Sequence, residues 1–374
     1  MYINFLTSQK KIPMASVNLP WDMVEEILSR VPPKSLVRFG TVCKQWKALF
    51  QEKSFVNTEL DHARPEVILM YDGKIFSIDV NLDDLAIEVR RIFLDIPTWE
   101  SYAINYCDGL LSCELSTKGS GTVVWNPSMR QGKQILKEGY LFLLCGIGYN
   151  RSRPEMGYKI FAYYSQSGII GGEELAIYDC ASETWEVINA PYNESPIEEP
   201  LDADISLNGN SYWTAYNTET SDYFIRRFDY SKKTLKNFCM LPCKKNSDGD
   251  THYLSVFRGE RFSMLEQCYR TREIEIWVTK NKIRNGDEKD VVWIKFMNVS
   301  LPDMPRLSHQ YNGRFPSYFV DNIREKSFVM CCYDETHHVC IYIVRGDMSR
   351  KIEIDFVDGG CCHAINFPSL IPIA

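Results

Sequence analysis

A unit recurs about every 50 residues through the middle of the chain, and this repeat limits the fold more than any other feature. Each copy has a strand that ends in an aromatic residue followed by Asp or Asn, then a polar turn, then a second aromatic-bearing strand. The markers are Trp125-Asn126, Tyr178-Asp179 and Phe228-Asp229, with Trp277-Val278 as a degenerate copy. Such periods, with four short strands each, are typical of propeller blades.

Alternating hydrophobicity from Glu66 onward supports this interpretation. Val67–Tyr71 and Lys74–Val80 flank Asp72-Gly73, and Ile205–Ala215 contains Asn208-Gly209, so both stretches predict hairpins. A single four-stranded blade exposes both faces, and a closed ring of blades buries them. We expect about six blades, with Cys362–Phe367 as a short strand that closes the ring against the first blade. A pair of β-sandwiches is the alternative, but it leaves the repeat unexplained.

The stretch from Asn18 to Phe55 is the one segment with clear helical patterning. Pro20 opens a first helix, Pro32 and Pro33 separate it from a second, and Thr41 is a predicted N-cap for a third. The apolar faces of the first and third helices are Val24, Ile27, Leu28 and Val31, and Val42, Trp46, Leu49 and Phe50; the second helix runs through Ser35, Leu36, Val37 and Phe39. So small a unit cannot complete a core alone, so it packs either on a partner or on the rest of the same chain.

This stretch resembles an F-box. The resemblance rests on the order and spacing of Leu19-Pro20, the Val24/Ile27/Leu28 face, Ser29-Arg30-Val31-Pro32, Lys34-Ser35-Leu36, Val42-Cys43-Lys44, Trp46 and Phe55. It implies binding to a Skp-type adaptor, and through it to a cullin and a RING subunit. The residues that it implies for adaptor binding are Leu19, Pro20, Val24, Ile27, Leu28, Val31, Pro32, Leu36, Val42 and Trp46.

The remaining chain resembles the plant F-box-associated interaction domain, a kelch-like propeller. The motifs that carry this resemblance are Cys107–Cys113, Val124–Ser128, Gly146–Tyr149, Ile177–Asp179, Leu207–Trp213, Phe228–Ser231 and Ile276–Thr279. We therefore predict an α+β multidomain chain. A three-helix F-box over residues 15–60 precedes an all-β kelch-like propeller over 61–374, and 1–14 form a disordered extension.

The two resemblances together imply a non-catalytic substrate receptor of an SCF-type ubiquitin ligase, located in the cytoplasm, the nucleus or both. The propeller would bind an unknown substrate protein. The alternative is a propeller that binds a small ligand or a glycan, with the F-box as a tether.

Composition excludes some function classes. The 42 basic residues against 49 acidic ones argue against a general nucleic-acid binder. No apolar run approaches the ~20 residues of a membrane span. The thirteen cysteines have no framework spacing, which predicts a reducing compartment.

Candidate chemistry is sparse. The aromatic markers Trp125, Tyr178, Trp185 and Trp277 are expected in the core between blades, and Asp108, Asn126, Asp179 and Asp229 in turns. The segment Cys331–Cys340 is dense in Cys and His but lacks the paired spacing of structural zinc sites. We predict no catalytic residue, no metal and no cofactor.

Overall fold

The computed structural model describes residues 19–50, 52, 54–55, 58, 64–93, 104–114, 121–136, 140–150, 157–166, 174–188, 197–198, 205–243, 251–258, 260–283, 291–307, 315–323, 325–357, 360–371 and 373. The extension predicted over 1–14 lies outside these residues. Three helices come first: α1 (Trp21–Leu28), α2 (Pro33–Phe39) and α3 (Lys44–Leu49). None of the helices in the described part of the chain is long and apolar enough to cross a bilayer.

Short strands make up nearly all of the regular structure after the helices. In chain order they are β1 (Glu66–Tyr71), β2 (Lys74–Asn81), β3 (Ala86–Ile92), β4 (Ile104–Cys107), β5 (Leu110–Glu114), β6 (Gly121–Asn126), β7 (Gln131–Leu136), β8 (Tyr140–Tyr149), β9 (Tyr158–Gln166), β10 (Glu174–Asp179), β11 (Thr184–Ile188), β12 (Ile197–Glu198), β13 (Ile205–Leu207), β14 (Asn210–Asn217), β15 (Asp222–Asp229), β16 (Thr234–Met240), β17 (Thr251–Phe257), β18 (Arg261–Gln267), β19 (Ile274–Thr279), β20 (Trp293–Val299), β21 (Ser317–Asp321), β22 (Ser327–Tyr333), β23 (Val339–Arg345), β24 (Met348–Glu353) and β25 (Cys362–Asn366).

The strands form six antiparallel sheets, which we number as blades 1 to 6. Blade 1 is β25-β1-β2-β3, blade 2 is β4 to β7, and blade 3 is β8 to β11. Blade 4 is β12 to β16, with β12 and β13 both paired to β14, blade 5 is β17 to β20, and blade 6 is β21 to β24. The innermost strands of neighbouring blades contact one another around a common axis. The predicted six-bladed propeller is therefore confirmed.

Burial along each strand follows from its place in a blade. All seven residues of β22 are buried, because its two faces pack against blades 5 and 1. The outermost strands, such as β24, are mostly exposed. This explains why inner strands have continuous apolar runs while outer strands alternate or turn polar.

A separate apolar cluster fills each of the six spaces between neighbouring blades. Trp125 packs between blades 1 and 2, Tyr178 between blades 2 and 3, and Phe228 between blades 3 and 4. Phe262, Tyr318 and Ile341 take equivalent places around the rest of the ring. The prediction that the aromatic markers form core between blades is confirmed, although Trp185 and Trp277 are only half-buried.

The ring closes as the sequence predicts. Strand β25 pairs with β1, so that Asn366 lies opposite Glu66 and His363 opposite Leu69. The two predicted hairpin turns are also confirmed, since both central residues of Asp72-Gly73 and of Asn208-Gly209 have positive φ. Asp108-Gly109 makes a third such turn between β4 and β5. A Cβ at Gly109 would lie 2.2 Å from Ser369 Oγ, so this turn also needs glycine for close approach.

A histidine of the closing strand lies at the seam between blades 1 and 6. His363 Nδ1 lies 2.8 Å from Ser317 Oγ on β21, and that hydroxyl donates to the His363 carbonyl at 2.9 Å. Burial lowers the pKa of His363 to about 4, so the closed ring keeps this imidazole neutral.

We expect the ring to lose stability in mild acid through His363. The unfolded chain takes up this proton near pH 6.5, whereas the folded chain resists it until about pH 4. Stability that is present above pH 6.5 is therefore lost as the pH falls through this window, by about 3 kcal/mol. Urea unfolding at a series of pH values should detect this slope, and His363→Gln should flatten it. His337→Gln, at an exposed turn, is the control. An unchanged slope in His363→Gln would contradict this assignment.

Candidate partner-binding surface of the helical module

Proline and cysteine set the bounds of the three helices. The Pro20 carbonyl accepts the first helical bonds from the N–H groups of Met23 and Val24 at 3.0 and 3.2 Å. Pro32 precedes α2, whose first residue is Pro33, where a missing N–H costs nothing. The predicted Thr41 cap of the third helix is wrong. Cys43 is the N-cap, and its Sγ accepts from Trp46 N at 3.4 Å.

One face of the helical module packs on the chain's own later residues. Leu28 of α1, Leu36 of α2 and Leu49 of α3 meet Leu370, which follows the closing strand β25. Phe50 and Phe55 complete this cluster, with Ile371 at its margin. The sequence left open whether a partner or the rest of the same chain completes this core. For this face of the module, residues of the same chain complete it.

A buried carboxylate joins the module to the ring. Glu66 of β1 is almost fully buried, and its side chain accepts hydrogen bonds from Ser77 and from Asn366 Nδ2, the latter at 2.9 Å. Lys34 Nζ of α2 lies 3.3 Å from Glu66 Oε2. A buried charge needs such partners, and here they come from α2, β2 and β25.

Outside the Leu370 cluster, the module leaves large apolar side chains in solvent. Met23 and Ile27 lie one helical turn apart on α1. Residues 19–42 contribute six of the sixteen exposed large apolar side chains in the described part of the chain: Leu19, Trp21, Met23, Ile27, Val37 and Val42. Such a concentration within one short stretch of chain makes the module a candidate interaction surface, because large exposed apolar patches of monomeric proteins are often functional. We call these six residues the exposed apolar face.

The predicted adaptor-binding residues divide between the two sides. Leu19, Pro20, Ile27, Pro32 and Val42 are exposed, and Val24, Val31 and Trp46 are half-buried. Leu28 and Leu36, with 3% and 0% exposure, lie inside the core and offer a partner no surface in this arrangement. Trp21 and Met23 were missed because they lie outside the residues from which the helices were assigned. Val37 was missed because it lies outside the motifs of the resemblance. The i, i+4 spacing of Met23 and Ile27 is the signal that could have found this part of the face.

The polar markers of the propeller serve turns. Asn126 Oδ1 accepts from Ser128 N at 2.8 Å, Asp179 Oδ1 from Ala181 N at 3.0 Å, and Asp229 Oδ1 from Ser231 N at 2.9 Å. This confirms the predicted turn role. Burial alone would raise the pKa of Asp179, but hydrogen bonds from Lys159, Ser182 and Ala181 bring that pKa below its usual value. The Asp179 carboxylate therefore serves as a hydrogen-bond acceptor that holds the turn.

The Cys331–Cys340 segment forms a hairpin in which Cys332 lies opposite Cys340. Burial raises the pKa of Cys340 to about 12, which keeps this thiol protonated at neutral pH. His338 Nδ1 lies 2.7 Å from Thr336 Oγ1 within the turn. Within the part of the chain that the structure describes, the Cys and His side chains of this hairpin do not converge as a group of three potential metal ligands.

Comparison with known proteins gives consistent results for both parts of the chain. Residues 17–58 match the F-box domain family, and residues 66–373 match the family described as F-box associated beta propeller domain. The putative F-box/kelch-repeat protein At1g12170 of Arabidopsis thaliana is 44% identical over 96% of this chain and 100% of its own length. The F-box protein At3g17710 of the same plant is 44% identical over 96% of this chain and 98% of its own.

Among solved structures, a chain of a nidogen/laminin complex covers 82% of this chain and 100% of its own length. Its TM-score is 0.46 and its sequence identity 11%.

We expect Leu370→Ala to loosen the helical module selectively. A buried leucine truncated to alanine costs about 2–5 kcal/mol, and here the cavity would open between the three helices and the closing segment. Amide hydrogen exchange should accelerate in α1 to α3 more than in the blades. Leu254→Ala, between blades 4 and 5, is the matched control and should accelerate exchange in the blades instead. Unchanged exchange in α1 to α3 of Leu370→Ala would show that this contact does not support the module.

Proposed function

Because the chain belongs to the family of F-box proteins with an F-box-associated β-propeller domain, we propose that it is the substrate-recognition subunit of an SCF-type ubiquitin ligase. The F-box binds a Skp-type adaptor, which connects the chain to a cullin and a RING subunit. The propeller binds a substrate protein. The complex works in the cytoplasm, the nucleus or both.

The exposed apolar face is the observation that carries this proposal. Its six side chains would each lose solvent contact in a complex, at about 25 cal/mol per Å² of apolar surface buried. A few well-buried anchors supply most of the binding energy of a protein interface, and tryptophan, here Trp21, is among the residue types enriched at such positions. The inner side of the module is already occupied by Leu370, so a partner has one side left to bind.

The docking of the F-box on the ring supports a positioning role. The Leu370 cluster and the Lys34–Glu66 ion pair hold the helices against blade 1 and the segment after β25. A substrate on the propeller would then be held in a defined place relative to the adaptor. Such positioning raises the effective concentration of a substrate lysine near a charged ubiquitin carrier, which accelerates transfer without any catalytic group from this chain.

The sharpest test is Ile27→Asp, because Ile27 is 51% exposed and makes no part of the F-box core. A carboxylate there would have to be desolvated in the complex, and we expect adaptor affinity to fall at least about 30-fold, or about 2 kcal/mol. Leu28→Asp is not equivalent, since Leu28 is buried and its replacement would disrupt the module itself. Binding can be measured by calorimetry with the purified adaptor.

Ile323→Asp is the matched control, because the same change falls on an exposed isoleucine of blade 6. It should leave adaptor affinity unchanged. Far-ultraviolet circular dichroism should show that both variants keep the propeller. Wild-type affinity in Ile27→Asp would contradict the proposed adaptor surface.

Substrates can be sought by affinity capture with the proteasome blocked. The wild-type chain and Ile27→Asp should both retain a true substrate, because the propeller is intact in each. Only the wild-type chain should promote its ubiquitination. If both chains promoted ubiquitination equally, modification of the substrate would not require adaptor binding through Ile27. That result would overturn the proposed role.

A further inference from the structure

Three side chains of types that bind metals meet at the boundary between blades 4 and 5. Cys243 lies just after β16, on the segment that leaves blade 4. His252 and Glu266 belong to β17 and β18 of blade 5. One potential ligand atom of each residue lies within 4.8 Å of the other two.

The backbone holds two of the three ligands in place. His252 and Glu266 are directly opposite each other in the pairing of β17 with β18. Cross-strand partners of this kind project to the same face of the sheet. The ring of Tyr223 on blade 4 packs on the imidazole of His252 with 4.3 Å between centroids, which limits how that imidazole can turn.

The distances suit a tetrahedral metal. Zinc binds nitrogen, oxygen and sulfur at about 2.0–2.3 Å, so ligand atoms around it lie about 3.3–3.8 Å apart. His252 Nε2 and Glu266 Oε1 are already 3.7 Å apart, too far for a hydrogen bond and right for two corners of a tetrahedron. Cys243 needs a shift of about 1.5 Å at most, which a half-buried side chain after a strand can make.

The donor set also suits zinc by charge and softness. We propose that Cys243, His252 and Glu266 form a zinc site. On binding, the Cys243 thiol releases its proton to solvent, and the thiolate and the Glu266 carboxylate together neutralise a divalent ion. The imidazole supplies a neutral nitrogen, and water fills the fourth position. Thiolate with imidazole favours zinc over magnesium or calcium, which prefer oxygen ligands.

The place of the site gives the ion a structural role. The His252 side chain is 3% exposed and that of Glu266 is 16% exposed, so the ion would sit in a largely dry boundary between two blades. A thiolate from the blade 4 side and two ligands from blade 5 would link the blades across a space otherwise closed by apolar contacts. Metal binding to the folded state alone would then stabilise the ring by mass action.

The site can be tested with the full chain and two metal probes, Zn²⁺ and Co²⁺. We expect one tightly held Zn²⁺ per chain by calorimetry, and a higher unfolding temperature with Zn²⁺ than after chelation. Co²⁺ should give the absorption of a tetrahedral site, with a thiolate charge-transfer band in the near ultraviolet. Cys243→Ser should remove that band, and Glu266→Gln should keep it.

Both variants should bind Zn²⁺ about 100-fold or more weakly, because even outer-shell partners of a metal contribute about 10–100-fold in affinity. They are mild changes at residues that are not fully buried, so both should fold. Cys268→Ser, at a half-buried cysteine outside the group, is the control and should bind as the wild type does. Equal Zn²⁺ affinity in Cys243→Ser and wild type, or loss in Cys268→Ser, would overturn the site. His252 and Glu266 would then form an ion pair without a metal.

Discussion

The pairing of β25 with β1 is the interaction on which the rest of the structure depends. Each blade can bury both of its faces only if it has a neighbour on each side, so an open ring would expose the clusters on either side of blade 1. The pairing is tied further by the buried Glu66 carboxylate, which receives Asn366 from β25 and Ser77 from β2. An unpaired carboxylate at that depth would be costly, so the closed ring and the satisfied charge favour each other.

The residues that follow β25 extend this closure to the helical module. Asn126 of blade 2 donates to the carbonyls of Ser369 and Ile371, and Ser369 Oγ donates to the Asp108 carbonyl at 2.7 Å. Between these anchors, Leu370 points into the core of the F-box. The F-box is thus supported by a short segment that is itself fixed on blade 2. The same segment explains why one side of the module is closed to partners while the other stays apolar and exposed.

Much of the fold could be predicted because the local signals in the sequence, such as turn residues and the repeated marker, match the observed strands and blades. Asp-Gly and Asn-Gly turns specify their hairpins. The aromatic-Asp/Asn marker recurs because the third strands of blades 2, 3 and 4 end in turns that need a side-chain acceptor. The first strand of blade 6, Ser317–Asp321, was missed because its apolar run, Tyr318–Val320, is only three residues long and does not alternate with polar residues. Helical periodicity also could not distinguish the stripe of Leu28 from that of Ile27. The partner of Leu28 is Leu370, a contact far along the chain that no local pattern reports. His252 and Glu266 are likewise brought together by strand register, and Cys243 joins them where blade 4 packs against blade 5.

The docking of Leu370 in the F-box has a consequence for synthesis. The helices are translated first, but their core includes a side chain that leaves the ribosome only after the strands of all six blades have been made. The emerging helices therefore have an incomplete core until then, and a chain that stops before β25 can neither close its ring nor complete its F-box. The fold thus makes the core of the first helices depend on residues that follow the strands of all six blades.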